Sequence, residues 1–141
     1  MHSVFLGGTC NGSTWRQELL SMLDTNKIEA FNPVVENWNE EAQRNEDYHK
    51  ENDDYSLYVI TPEMKGIYSI FEVAQESVKN PDKILFCVLT ERDGKIFDPF
   101  LLKDFDKIKR DLVNNGVKVF NNLEEISFFL NNLENNKSLH F

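Results

Sequence analysis

Cysteine is scarce: two residues in 141, Cys10 and Cys87, too far apart to form a metal or redox pair, so no disulfide framework follows. Cys87 lies in an apolar run and reads as a small buried hydrophobe, whereas Cys10 sits in a glycine-rich loop. Bases are also few, 15 against 24 acids, for a net charge of −9. The densest basic group, Lys103, Lys107, Lys109 and Arg110, is interleaved with Asp104, Asp106 and Asp111. That mixture reads as a solvated helix face rather than a nucleic-acid patch, which needs clustered positive charge. No apolar run approaches the length of a membrane span. Met1-His2-Ser3 opens with neither a basic nor a long apolar segment, so the expectation is no leader and a reducing cytoplasm. Internal repeats and linkers are missing too, which leaves one domain over residues 1–134 and a C-terminal tail, 135–141, that docks on a neighbouring subunit.

What is present is enough for one core: 40% hydrophobic and 12% aromatic residues. Five short apolar runs, at 3–6, 28–32, 57–61, 84–89 and 117–120, alternate with segments of helical period at 13–23, 38–50, 66–78, 99–114 and 123–133. Runs such as Leu57-Tyr58-Val59-Ile60 do not alternate polar with apolar, which suits strands covered on both faces of a parallel sheet. The order predicts a doubly wound α/β fold, a five-stranded parallel sheet with helices on both faces. Helical spacing places Ile67, Ile70, Phe71, Ala74 and Val78 on one face of the third helix. In the last helix Ile126, Phe128, Phe129, Leu130 and Leu133 surround the axis, more apolar surface than one buried face needs; together with Phe141 this predicts a homo-oligomer.

In such a sheet the ligand crevice lies beyond the carboxyl ends of the strands, where strand order reverses. Three loops converge there. The first, Gly7-Gly8-Thr9-Cys10-Asn11-Gly12-Ser13, offers glycines and a helix N-terminus to an anion or sugar, with Gly8, Asn11 and Ser13 as contacts and Arg16 one turn in as an added charge. It lacks the Lys-Ser/Thr ending of a phosphate-binding P-loop and the spaced glycines of a dinucleotide site; a tight turn with Ser13 as helix cap is the structural alternative. The second loop brings Asn32-Pro33 and Trp38, an aromatic suited to stack on a flat base or to fill the core. The third carries Ser69-Ile70-Phe71-Glu72. This is either a capping box or an acid in the first helical turn, kept ionised by the helix dipole and nucleophilic.

The Gly-Gly loop, Asn32-Pro33, the run Leu57-Tyr58-Val59-Ile60-Thr61-Pro62-Glu63-Met64 and Ser69-x-x-Glu72-x-Ala74 resemble the nucleoside 2-deoxyribosyltransferase-like superfamily, closest to its small subgroup, over residues 3–130. The resemblance implies a flavodoxin-like sheet, a dimer or larger assembly, and transfer or hydrolysis of the 2-deoxyribosyl group of nucleosides or nucleotides, without metal or cofactor. It makes Glu72 the nucleophile. The chain departs from the pattern twice: Gly66 stands where an Asp is usual, and Phe5 where a first-strand Tyr holds the nucleophile. In the implied chemistry Glu63 or Asp47 protonates the leaving base, and Asn32, Trp38 and Ser69 complete the substrate contacts. Two other functions fit the same residues: a nucleotide-binding module that has lost catalysis, and a glycohydrolase of nicotinamide dinucleotides.

Overall fold

The computed structural model describes residues 1–10 and 12–134. Each apolar run forms a strand: β1 (His2–Gly8), β2 (Ile28–Phe31), β3 (Tyr55–Ile60), β4 (Ile84–Val88) and, after a short hairpin β5 (Glu91–Arg92) and β6 (Lys95–Ile96), β7 (Lys118–Phe120). The helices are α1 (Trp15–Met22), α2 (Glu40–Asn52), α3 (Tyr68–Lys79), α4 (Pro99–Asn114) and α5 (Leu123–Asn131). The five long-range strands pair in parallel in the order β2-β1-β3-β4-β7. The chain therefore leaves β1 in one direction for β2 and returns past it to β3, which puts the switch point between β1 and β3.

Side-chain alternation distributes these strands between two cores. Val4, Leu6, Leu57, Val59, Leu85 and Cys87 point to the face covered by α1 and α5. Tyr58, Ile60, Ile84, Phe86 and Val88 point to the other, covered by α3 and α4 through Val73, Phe105 and Leu112. Burial pushes the Cys87 thiol up to about 12, so it behaves as a hydrophobe, as its sequence context suggests. α4 is capped at both ends: the Asp98 side chain accepts from the N–H of Phe100, and Gly116, with φ +99°, closes a Schellman turn in which Val117 N–H reaches Leu112 O.

Two local expectations differ from the fold, and one element has no counterpart in the sequence reading. The stripe on α3 exists but faces outward: Ile67, Phe71 and Val78 are more than half exposed, and the buried side carries Val73 and Ser77 with Ile70 packed beside it. Periodicity says which residues share a face; it does not say which face the sheet covers. In α5, by contrast, most of the apolar residues are absorbed. Ile126, Leu130 and Leu133 enter the core, Phe129 packs between Tyr55 and Phe120, and Phe128 alone is largely exposed. Phe141 lies outside the described residues. The hairpin β5–β6 was not anticipated. It turns at Asp93-Gly94, both at positive φ as a two-residue type I′ turn requires, and Arg92 ties it to α1 by pairing with Glu18 and donating to Thr14 Oγ1.

α2 stands apart from the other helices, because none of its residues is buried. It is held by polar and aromatic contacts. The His49 ring stacks on Phe31 at 3.8 Å between centroids with Nδ1 2.9 Å from Asp53, and the Lys83 ammonium donates to the carbonyls of Lys50 (2.6 Å) and Glu51 (2.9 Å) at the helix C-terminus.

Candidate active site

Two cavities lie beside α3: one over the face of the sheet, reaching the amino ends of β3 and β4 at Ser56 and Lys83, and one at the switch point, beyond the carboxyl ends of β1 and β3, where the crevice is expected from the sequence. The larger, about 510 Å³, is a cleft between α2 and α3 with β3 as its floor. Tyr58 and Ser56 form the floor, Asp47 and Lys50 lie on the α2 side, and Tyr68 and Glu72 on the α3 side. The smaller, about 150 Å³, lies beyond the strand ends and is lined by Gly8, Cys10, Lys65 and Ser69 among others. Tyr68 borders both, so they adjoin.

Glu72 is the fifth residue of α3, which begins at Tyr68 after an N-cap, Ile67, that makes no side-chain cap bond. Ser69 is inside the helix and no capping box forms. Glu72 is also beyond the first turn, where the dipole is felt. Its positive partner comes from the opposite wall instead: the Lys50 ammonium lies 2.5 Å from Glu72 Oε2 and 3.1 Å from Glu46 Oε1. Lys50 is the one hydrogen-bond or ion-pair partner of the Glu72 carboxylate among the described residues. Burial opposes the Lys50 charge, but the hydrogen bond and attraction of Glu72, then of Glu46, outweigh it and raise its pKa above the ordinary value.

Tyr58 projects from β3 beneath this pair. Its ring packs edge-on to Phe5 and fills space that Gly7 leaves open, since a Cβ at Gly7 would lie 2.9 Å from the ring. Burial, and then the charges of Glu72, Glu76 and Glu46, push the phenol pKa far above its usual value. The hydroxyl therefore stays protonated and is a donor, with no hydrogen-bond partner among the described residues.

The first loop is built from behind. Arg16 is buried and donates through Nε to Leu6 O (3.0 Å) and through Nη1 to Thr9 O (2.7 Å), with Nη2 3.4 Å from Gly8 O. Trp15 Nε1 also donates to Thr9 O, at 2.8 Å. The Arg16 guanidinium is thereby turned to the loop's own carbonyls. Thr9 Oγ1 accepts from the N–H of Thr61, which joins the loops after β1 and β3. Gly8, at φ +108°, is required by strand packing: a Cβ there would lie 2.1 Å from Val59 O. Ser13 is buried, its Oγ has no partner among the described residues, and Thr14 is the N-cap of α1, its side chain turned to the β5–β6 hairpin rather than capping the helix.

The remaining candidates are dispersed. Asp47 lines the large cleft and accepts from Gln43 Nε2 at 2.9 Å. Glu63 folds back on Thr61, accepting from its hydroxyl at 3.3 Å. Asn32 closes an Asx turn onto the N–H of Val34, and Trp38 is about half exposed; neither lines these two cavities. Asn11 lies outside the described residues. Sequence reasoning missed Lys50. The Glu46-to-Lys50 spacing on α2 signals a pair along one helix but carries no sign of the contact across to α3. No group of three or more His, Cys, Asp or Glu able to hold a metal ion occurs among the described residues, and no helix there is long and apolar enough to cross a membrane.

Residues 1–91 match the family model described as "Nucleoside 2-deoxyribosyltransferase like". No curated protein matches the chain.

Proposed function

Because the chain belongs to the nucleoside 2-deoxyribosyltransferase-like family, we propose that it cleaves or transfers the N-glycosidic bond of a 2-deoxynucleoside or its monophosphate, with Glu72 as nucleophile. The observation that carries this reading is Glu72 itself: a mostly buried carboxylate lining the cleft of about 510 Å³, with one oxygen held by Lys50. Oε1 attacks C1′ opposite the base. The C1′–N bond breaks through an oxocarbenium-like state, its electron pair leaves with the base, and an ester to Glu72 remains. Asp47, in the same cleft, delivers the proton to the departing base; Glu63, engaged with Thr61, is the weaker candidate. An acceptor base, or water, then attacks C1′ and gives up its proton to the Asp47 carboxylate, while the C1′–O bond breaks and Glu72 leaves as its carboxylate. The setting proposed is the reducing cytoplasm.

The test is product analysis. The protein is incubated with the deoxynucleosides, their monophosphates and NAD, with and without an acceptor base. Free base from a deoxynucleoside substrate is the expected product. Nicotinamide from NAD alone, or saturable binding without turnover, overturns the reading in favour of a dinucleotide glycohydrolase or a binding module.

We further propose a homo-oligomer, at least a dimer, formed through the outward stripe of α3. Ile67 and Phe71 adjoin Tyr68 at the cleft mouth, and with Val78 they expose apolar surface that a second subunit would cover. Light scattering at micromolar concentration is expected to give a mass of at least twice 16.5 kDa for the parent, reduced in Phe71→Glu. A 16.5 kDa parent that is fully active and unchanged on dilution would end the idea.

A further inference from the structure

Resting on the glycosidic reading, we propose that Lys50 is the positioning residue of Glu72: its ammonium occupies Oε2, leaves Oε1 as the attacking oxygen, and stabilises the carboxylate again when it departs from the ester.

Four observations converge on this role. Lys50 makes the polar contact that Glu72 has among the described residues, at 2.5 Å. The lysine is itself fixed, since Glu46 takes the ammonium at 3.1 Å and the Phe5 ring lies under it at 5.6 Å to the centroid. Its backbone is anchored independently, because Lys83 donates to the Lys50 carbonyl. Finally, the usual supports for such a carboxylate are missing. Glu72 is too far into α3 for the dipole, and Phe5, the β1 ring under the Lys50 ammonium, has no hydroxyl to donate. An ammonium over the Phe5 ring supplies a donor from above that ring.

The chemistry agrees with the geometry. A cation on Oε2 fixes one oxygen and orients the other for attack on C1′. In the second step the C1′–O bond breaks, its electron pair returns to Glu72, and the same ammonium neutralises the charge that develops there. No proton needs to leave Lys50 in either step.

Kinetics on the substrate that releases base provide the test. Lys50→Met is expected to lower kcat about a hundredfold with KM within about threefold, as a misaimed nucleophile does, and Lys50→Arg to restore most of it. A Lys50→Met protein that turns over like its parent, or a Lys50→Arg protein no better than Lys50→Met, overturns the proposal. A purely structural strut between α2 and α3 would lower the melting temperature without this split. A second arm needs no turnover: the Lys50 ammonium, followed by nitrogen-15 NMR, is expected to titrate at lower pH in Glu72→Gln than in the parent, and an unchanged titration overturns the pairing. An inactive parent sinks the glycosidic reading, and Lys50's part in it, even where the titration shift is intact. An active parent without the shift sinks the pairing alone.

Discussion

Glu72→Gln is expected to reduce base release at least about a thousandfold, because the amide cannot form the glycosyl ester and gives no charge to oppose the oxocarbenium-like state. Folding should hardly notice. Glu72 is not a helix cap, its ion pair is partly solvated, and Lys50 retains Glu46 at 3.1 Å. Such a pair contributes about 1 kcal/mol or less, a few degrees in melting temperature for a domain of this size. Paired measurements of product formation and thermal unfolding check this. A variant that keeps its activity but melts well below the parent would mark Glu72 as a structural residue.

Gly8→Ala is expected to have the opposite profile, a loss of at least about 4 kcal/mol of stability, enough to deplete the folded protein. Two costs coincide there. The positive φ strains any L-residue, and the added methyl meets Val59 O at 2.1 Å and Val59 N at 2.6 Å, both backbone atoms that no rotamer change can move. Separating β1 from β3 to make room would disturb the centre of the sheet and the Thr9–Thr61 contact beyond it. Gly12→Ala separates the two costs. Gly12 also has positive φ, +80°, but no described residue beyond its chain neighbours lies within 4 Å of its Cβ position, so only the conformational cost of about 1 to 2 kcal/mol applies. Urea unfolding of both variants is the measurement, and equal losses would show that the close approach to Val59 is not decisive.

The sheet was legible in the sequence because its strands are buried on both faces, and unbroken apolar runs such as Ile84-Leu85-Phe86-Cys87-Val88 carry that signal directly. The hairpin after β4 was not, because its strands are two residues each and mostly charged, leaving only Asp93-Gly94 as a cue. Glu72 was legible from local spacing. Lys50 was not, since its partner lies on another helix. Arg16 shows a third limit: one turn into α1 it reads as a charge offered outward, whereas burial gives it to the carbonyls of the loop.

Those buried contacts bear on how this protein can change over generations. The first loop and the strands beneath it interlock with the core, and substitutions there put folding at risk. α2 contributes Asp47 and Lys50 to the cleft but no buried residue to either core. Selection can therefore vary the cleft-facing positions of α2 around Lys50 at little cost to stability, and new substrate preferences should arise on that helix before they arise on the loops.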